Sequence, residues 1–161
     1  MILATHAVVG GAIMKLMPHH PVAGLFLAFT SHFVLDAIPH WDYPLGSYEY
    51  NEKKPLKSII YFNKKFLGDL AKMGLDGIFG LIFAIILFSG PPVGNWFLIA
   101  LGAVGAMLPD FLQFLYFQTR REPFIILQKL HIWAHSKYKT KKLSFAGIIS
   151  QIAIIVLAGI I

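Results

Sequence analysis

The chain has 161 residues, 57% of them hydrophobic and only 14% charged, with a formal net charge of +6 and no cysteine. An ordinary soluble domain carries ~25% charged residues, so a chain of this length cannot hide its apolar side chains from water; it reads as one all-α domain, integral to a membrane. The lack of cysteine excludes disulfides, thiolate zinc sites and cysteine nucleophiles, and the positive charge, concentrated in and beside the loops, points to anionic lipid head groups and not to nucleic acid.

In chain order, residues 2–17 form an apolar first helix rich in small residues, Ala4, Ala7, Gly10, Gly11 and Ala12. No basic segment precedes its apolar run, so it reads as a retained helix and not as a cleaved signal. At 1.5 Å per residue it reaches only ~24 Å, short for a ~30 Å hydrocarbon core. "MPHHP" ends it, and His19 and His20 read as loop residues. Residues 21–38 form a second helix, stopped by Pro39. Residues 39–64, polar, aromatic and lysine-rich, are the longest loop. A third helix at 65–89 leads through the tight turn "SGPPVGN" to a fourth at 95–118, interrupted at Pro109. After "QTRRE" come a shorter helix at 123–137, the basic link "KYKTKK", and a last apolar helix at 144–161. The sum is a bundle of about five hydrophobic helices plus one interfacial helix.

The charges orient this bundle. Of the 14 Lys and Arg residues, 13 fall within 53–72 and 120–142, and the turn at 90–95 has none. By the positive-inside rule both basic stretches, and with them the 39–64 loop, face the cytoplasm of a multi-pass inner-membrane protein. The ionisable residues within the helices then share one depth. His6, the inner end of the second helix with His32 and Asp36, the inner half of the third with Asp76, the inner end of the fourth with Asp110, and the interfacial helix with His131 and His135 all fall on the cytoplasmic side.

His32 and Asp36 are spaced i, i+4 and project from one helical face, and "HIWAH" repeats that spacing with His131 and His135. Such a pair can grip one ion, as in the zincin helix, although position 132 is Ile where a zincin has Glu. Asp76, in "GLDGIFG", carries a burial cost of ~2.5–3.5 kcal/mol in a bilayer. Lys72 at i−4 is its only nearby partner in sequence, and Gly74, Gly77 and Gly80 allow another helix to come close. It reads either as a structural carboxylate bonded to that helix or as a ligand or base. Asp110 follows Pro109 and reads either as the N-cap of a restarted helix or as a site wall. Asp69 reads as a solvated partner of Lys65 or Lys72. Trp41, Tyr43, Trp96 and Trp133 fit interfacial belts.

The candidate metal ligands are therefore His6, His32, Asp36, His40, His131 and His135, with His40 favoured over Asp42 as the residue folding back from beyond Pro39. The candidate catalytic carboxylates are Asp76, as general base, and Asp110. A His and Asp donor set suits Zn²⁺ or another first-row divalent ion, and a cluster of this size has room for two ions, as in two-metal phosphoester hydrolysis. A lipid or phosphoester at the cytoplasmic interface is the substrate class this favours. A metal or proton transporter, and a scaffold whose polar cluster only joins helices, are the other readings.

"THAVVGG", "SHFVLDAIPHWD", "MLPDF" and the late "HIWAH" together resemble the membrane-bound metal-dependent hydrolases, a family of small bacterial and archaeal inner-membrane proteins. The resemblance implies a divalent metal and hydrolysis, and a more distant likeness to the helical zinc-dependent phospholipases C, which also use an HxxxD motif. It carries over first to His6, His32, Asp36, Asp110 and His135, with Ser136 following His135 as in the family's His-Ser ending.

Overall fold

The computed structural model describes residues 1–91, 95–135 and 145–161. Ser136, the "KYKTKK" link and the centre of the "SGPPVGN" turn lie outside the described residues. Among those described, the chain is all-helical apart from one tiny hairpin. Six α-helices run α1 (Leu3–Leu16), α2 (Pro21–Ala37), α3 (Lys64–Phe88), α4 (Trp96–Thr119), α5 (Phe124–Ala134) and α6 (Phe145–Gly159). Two of them, α3 and α4, are long and apolar enough to cross a membrane; α1, α2, α5 and α6 are apolar but shorter.

Local chemistry sets the ends of these helices. Asn63 and Asn95 cap α3 and α4, each side-chain oxygen accepting from two backbone N–H groups of the first turn. Pro21 opens α2, where its missing N–H costs nothing. Arg120, in the left-handed region at φ 53°, ends α4. Its guanidinium then donates to the carbonyls of Leu56 and Ser58, pinning the 39–64 loop to α4.

α1 is the central helix, touching α2, α3, α4 and α6. Its small residues make this possible. A Cβ on Gly10 would strike the carbonyl of Gly102 on α4, and one on Gly80 of α3 would strike Ala4 of α1. Backbones that close exchange dispersion contacts along their length, which is the main attraction between helices when the surroundings are apolar. Ala7, Val8, Ala12, Met14, Ala84, Phe88, Ile99 and Ala103 fill the core beside these crossings. Of the three glycines around Asp76, Gly80 serves such an approach, whereas Gly74 meets nothing.

Three sequence expectations are corrected here. α4 runs unbroken through Pro109, so Asp110 caps no restarted helix. The proline forfeits only its own N–H bond, and its fixed φ is compatible with the helix around it. The 39–64 loop is folded: β1 (Tyr48–Glu49) pairs antiparallel with β2 (Ile59–Ile60), Tyr48 opposite Ile60, with a 3₁₀ turn at Pro55–Lys57 between them. Asp69 is buried, not solvated. It keeps the expected contact with Lys72, 3.3 Å away, but its other oxygen accepts from the backbone and hydroxyl of Ser47 at 2.7 Å each, tying the loop to α3.

Candidate metal centre

One end of the bundle gathers the start of α1, the end of α2, the C-terminal half of α4, α5 and the start of α6. Asp36 is the hub. Its Oδ1 lies 3.3 Å from His6 Nε2 and its Oδ2 lies 3.3 Å from His32 Nε2 and 3.2 Å from His131 Nε2. The amino group of Met1 stands 2.8 Å from the same Oδ1. Asp110 reaches the cluster from α4, 3.6 Å from His32 Nε2 and 3.9 Å from His131 Nε2. All but Asp110 are buried.

A second layer lies beyond Pro39, where the chain turns back across the bundle. Trp41 donates its N–H to the carbonyl of Gly147, and Ser150 and Gln151 of α6 bond the carbonyls of Pro39 and Trp41. This carries His40 to the cluster's edge, its ring 4.9 Å from that of His135. Asp42 follows, 3.2 Å from His40 Nε2 and 3.8 Å from His135 Nε2, with its side chain about half exposed at 48%. Burial, the larger effect, lowers the His135 imidazole to about 4, against the pull of Asp36 and Asp42, so it is neutral at pH 7. Burial opposes ionisation of Asp42, but the His40 bond and the Met1 amino group outweigh it and hold the carboxyl below its ordinary range.

The ring nitrogens have fixed roles. His32 Nδ1 is 2.9 Å from the carbonyl of Ala106, and His40 Nδ1 is 2.7 Å from that of Ile38. A carbonyl only accepts, so Nδ1 carries a proton in each ring. His40 Nε2 bonds the Asp42 carboxylate, whereas in a neutral His32 ring Nε2 carries the lone pair. That is the arrangement by which a second partner orients a metal-binding histidine. His32 Nε2 thus aims a lone pair at two carboxylates. His32 Nε2 and both nitrogens of His6 are buried and make no hydrogen bond among the described residues. Acceptors facing one another in a dry interior repel unless a proton or another cation sits between them.

The spacing fits such a cation. Two atoms bound at ~2.0–2.1 Å to one tetrahedral ion stand about 3.3 Å apart. The contacts of Asp36 with His6, His32 and His131 are 3.2–3.3 Å. Three groups have ligand atoms mutually close enough to share an ion: His6, His32 and Asp36; His32, Asp110 and His131; and Asp36, His40 and His135. All six sequence-derived ligand candidates appear in them, along with Asp110.

Two site expectations change. Asp76 joins none of these groups. Its Oδ2 accepts the N–H of Leu3 at 2.6 Å and faces the Tyr43 hydroxyl at 3.5 Å, so it caps the exposed N–H groups of α1 from the neighbouring helix. Of the two readings left open for it, the structural one describes its contacts. The "HIWAH" pair also does not grip one ion: α5 ends at Ala134, His135 is extended, and the two histidines fall into different groups, although their rings stack at 5.9 Å. His19 and His20 are exposed or nearly so in the turn between α1 and α2, as expected of loop residues.

Sequence reasoning missed the supports. Gln151 accepts from the N–H of Ile2 at 3.2 Å while donating to Trp41, and so joins the ends of α1 and α6 to the strap carrying His40. A signal existed, since Ser150 and Gln151 are the only polar side chains in α6. Compared with protein-family models, curated proteins and solved structures, the chain matches none.

Proposed function

We propose that this is a multi-pass inner-membrane protein, one membrane-embedded bundle of five hydrophobic helices with α5 at the cytoplasmic interface. We propose further that its histidine–aspartate cluster is the centre of a metal-dependent hydrolase acting on a phosphoester or lipid there. The outward faces support the membrane reading. Phe26 and Val34 of α2, Phe79 and Ile86 of α3, Phe97 of α4 and Val156 of α6 are all exposed. Apolar surface distributed around a whole bundle is what lipid covers and water does not.

The observation that carries the metal reading is His32, whose Nδ1 is committed to Ala106 and whose Nε2 faces Asp36 and Asp110. Either His6, His32 and Asp36 or His32, Asp110 and His131 would hold one ion, and Asp36, His40 and His135 offer a place for a second. A donor set of imidazole and carboxylate suits Zn²⁺. Bound there, the metal supplies Lewis acidity and lowers the pKa of a coordinated water. The chain's own residues do the rest. The Ala106 and Ile38 carbonyls orient the two imidazoles. Asp42, half exposed and paired with His40 and the Met1 amino group, holds His40 at the edge of the cluster. The family likeness of "SHFVLDAIPHWD" and "MLPDF" points the same way.

Transport has less support. The core between α1, α3 and α4 beyond the cluster is filled by Ala7, Val8, Ala12, Phe88 and Ile99, where a relay needs ionisable groups at every depth.

The test is hydrolysis of bis(p-nitrophenyl) phosphate by purified protein in lipid nanodiscs. Activity should vanish with chelator and return with Zn²⁺ or Mn²⁺. His32→Ala should lower it further than the ~10–100-fold that loss of an outer partner costs. Metal-replete protein that cleaves neither this diester nor a phospholipid would overturn the proposal.

A further inference from the structure

A groove of about 420 Å³ runs between α3 and α4, with Tyr48 and Ile60 of the β1–β2 hairpin among its walls. Its walls are almost wholly apolar, among them Met73, Ile78, Phe111 and Phe114. Ser47, Asp69, Asp110 and Gln113 are the exceptions, and Asp69 is already bonded to Ser47 and Lys72. Asp110 opens onto the groove and also belongs, with His32 and His131, to a candidate metal group. A single carboxylate therefore joins an apolar channel to the polar cluster. The two helices that form the channel are also the two long and apolar enough to cross a membrane, so on the membrane reading the exposed rim of the groove would face lipid. Leu70, Ile78 and Phe111 on its rim are exposed. Six lysines fall in the 53–72 stretch, which supplies the hairpin and the start of α3 at its inner end, a charge that favours anionic head groups.

We propose that this groove holds a hydrocarbon chain of a phosphorylated membrane lipid, whose head group meets the histidine–aspartate cluster at Asp110. The assignment rests on the hydrolase reading for what happens to the head group, but not for the seating of the chain. A mostly apolar pocket of this size with a few polar residues is the ordinary form of a site for an amphiphile.

Two glycines of α3 make a controlled test. A Cβ at Gly74 meets nothing within 4 Å, and Gly74 lines the groove. A Cβ at Gly68 also meets nothing, but Gly68 does not line it. Gly74→Phe therefore plugs the groove, Gly74→Leu plugs it in part, and Gly68→Phe adds the same bulk elsewhere on the helix. Binding of radiolabelled hexadecyl phosphate is measured for Zn²⁺-loaded protein in maltoside micelles, with inorganic phosphate as the chainless probe. Gly74→Phe should weaken hexadecyl phosphate by at least ~10-fold, the equivalent of about two displaced methylenes. Gly74→Leu should weaken it less, Gly68→Phe should leave it unchanged, and phosphate should bind all variants alike. Equal hexadecyl phosphate binding by the Gly74→Phe and Gly68→Phe variants overturns the proposal. Equal weakening of phosphate by Gly74→Phe also overturns it, since that would mean a damaged cluster. Binding that depends on Gly74 without any turnover sinks the hydrolase reading and leaves the groove assigned. Turnover of diesters indifferent to Gly74→Phe, with hexadecyl phosphate binding equally indifferent, does the reverse.

Discussion

Asp36 has three imidazoles and an amino group within 3.3 Å of its carboxylate. Asp76 is bonded, among the described residues, by backbone N–H groups at the start of α1 and faces a tyrosine. The same residue type therefore does two jobs, and the neighbours decide which. Asp36→Asn removes a ligand charge and should sharply reduce divalent-metal uptake, measured by titration calorimetry. Asp76→Ala removes a cap from α1 and should cost about 0.5–2 kcal/mol of stability, read from thermal unfolding in detergent, with metal uptake retained. Loss of metal with unchanged unfolding in Asp76→Ala would restore Asp76 to the site. At this scale the sequence disclosed residue types and little of their partners. The N–H of Leu3 is 73 residues from Asp76, and Ser47 is 22 residues from Asp69. No local pattern encodes such pairs.

The helices themselves were legible because each is a long apolar run between loop and proline signals. All six were expected, with ends within a few residues. The hairpin was not, since strands of two residues leave no alternation to read. Pro109 misled because a proline removes one bond and a well-packed helix tolerates that. His135 misled because i, i+4 spacing is a helical argument and α5 stops one residue short of it. The small residues of α1 were visible, but which of them touch another backbone depends on packing. Gly10→Ala forces a methyl against the Gly102 carbonyl and should destabilise the protein by about 1–3 kcal/mol. Thermal unfolding measures this, and Gly68→Ala, in open space, should show no loss. An equally stable Gly10→Ala protein would mean that α1 and α4 are not in this contact.

Over the whole molecule, the sequence placed His6, His32, Asp36, Asp76, Asp110, His131 and His135 at one depth, and all of these but Asp76 share the metal groups at one end of the bundle. The proposed orientation, from positive-inside bias, puts that end at the cytoplasmic face. Native cysteine is absent, so single cysteines report orientation cleanly. Lys53→Cys should react with an impermeant maleimide only in inside-out vesicles, and His19→Cys only in right-side-out ones. The same side for both would contradict the proposed topology. The central claim is that the cluster binds a divalent ion. Its most direct test is the metal content per chain of protein purified without chelator or polyhistidine tag, before and after incubation with Zn²⁺ or Mn²⁺. At least about one tightly held ion per chain is predicted, lost in a variant carrying both His32→Ala and Asp36→Ala. Protein that carries no metal and takes up none under either condition would contradict the account.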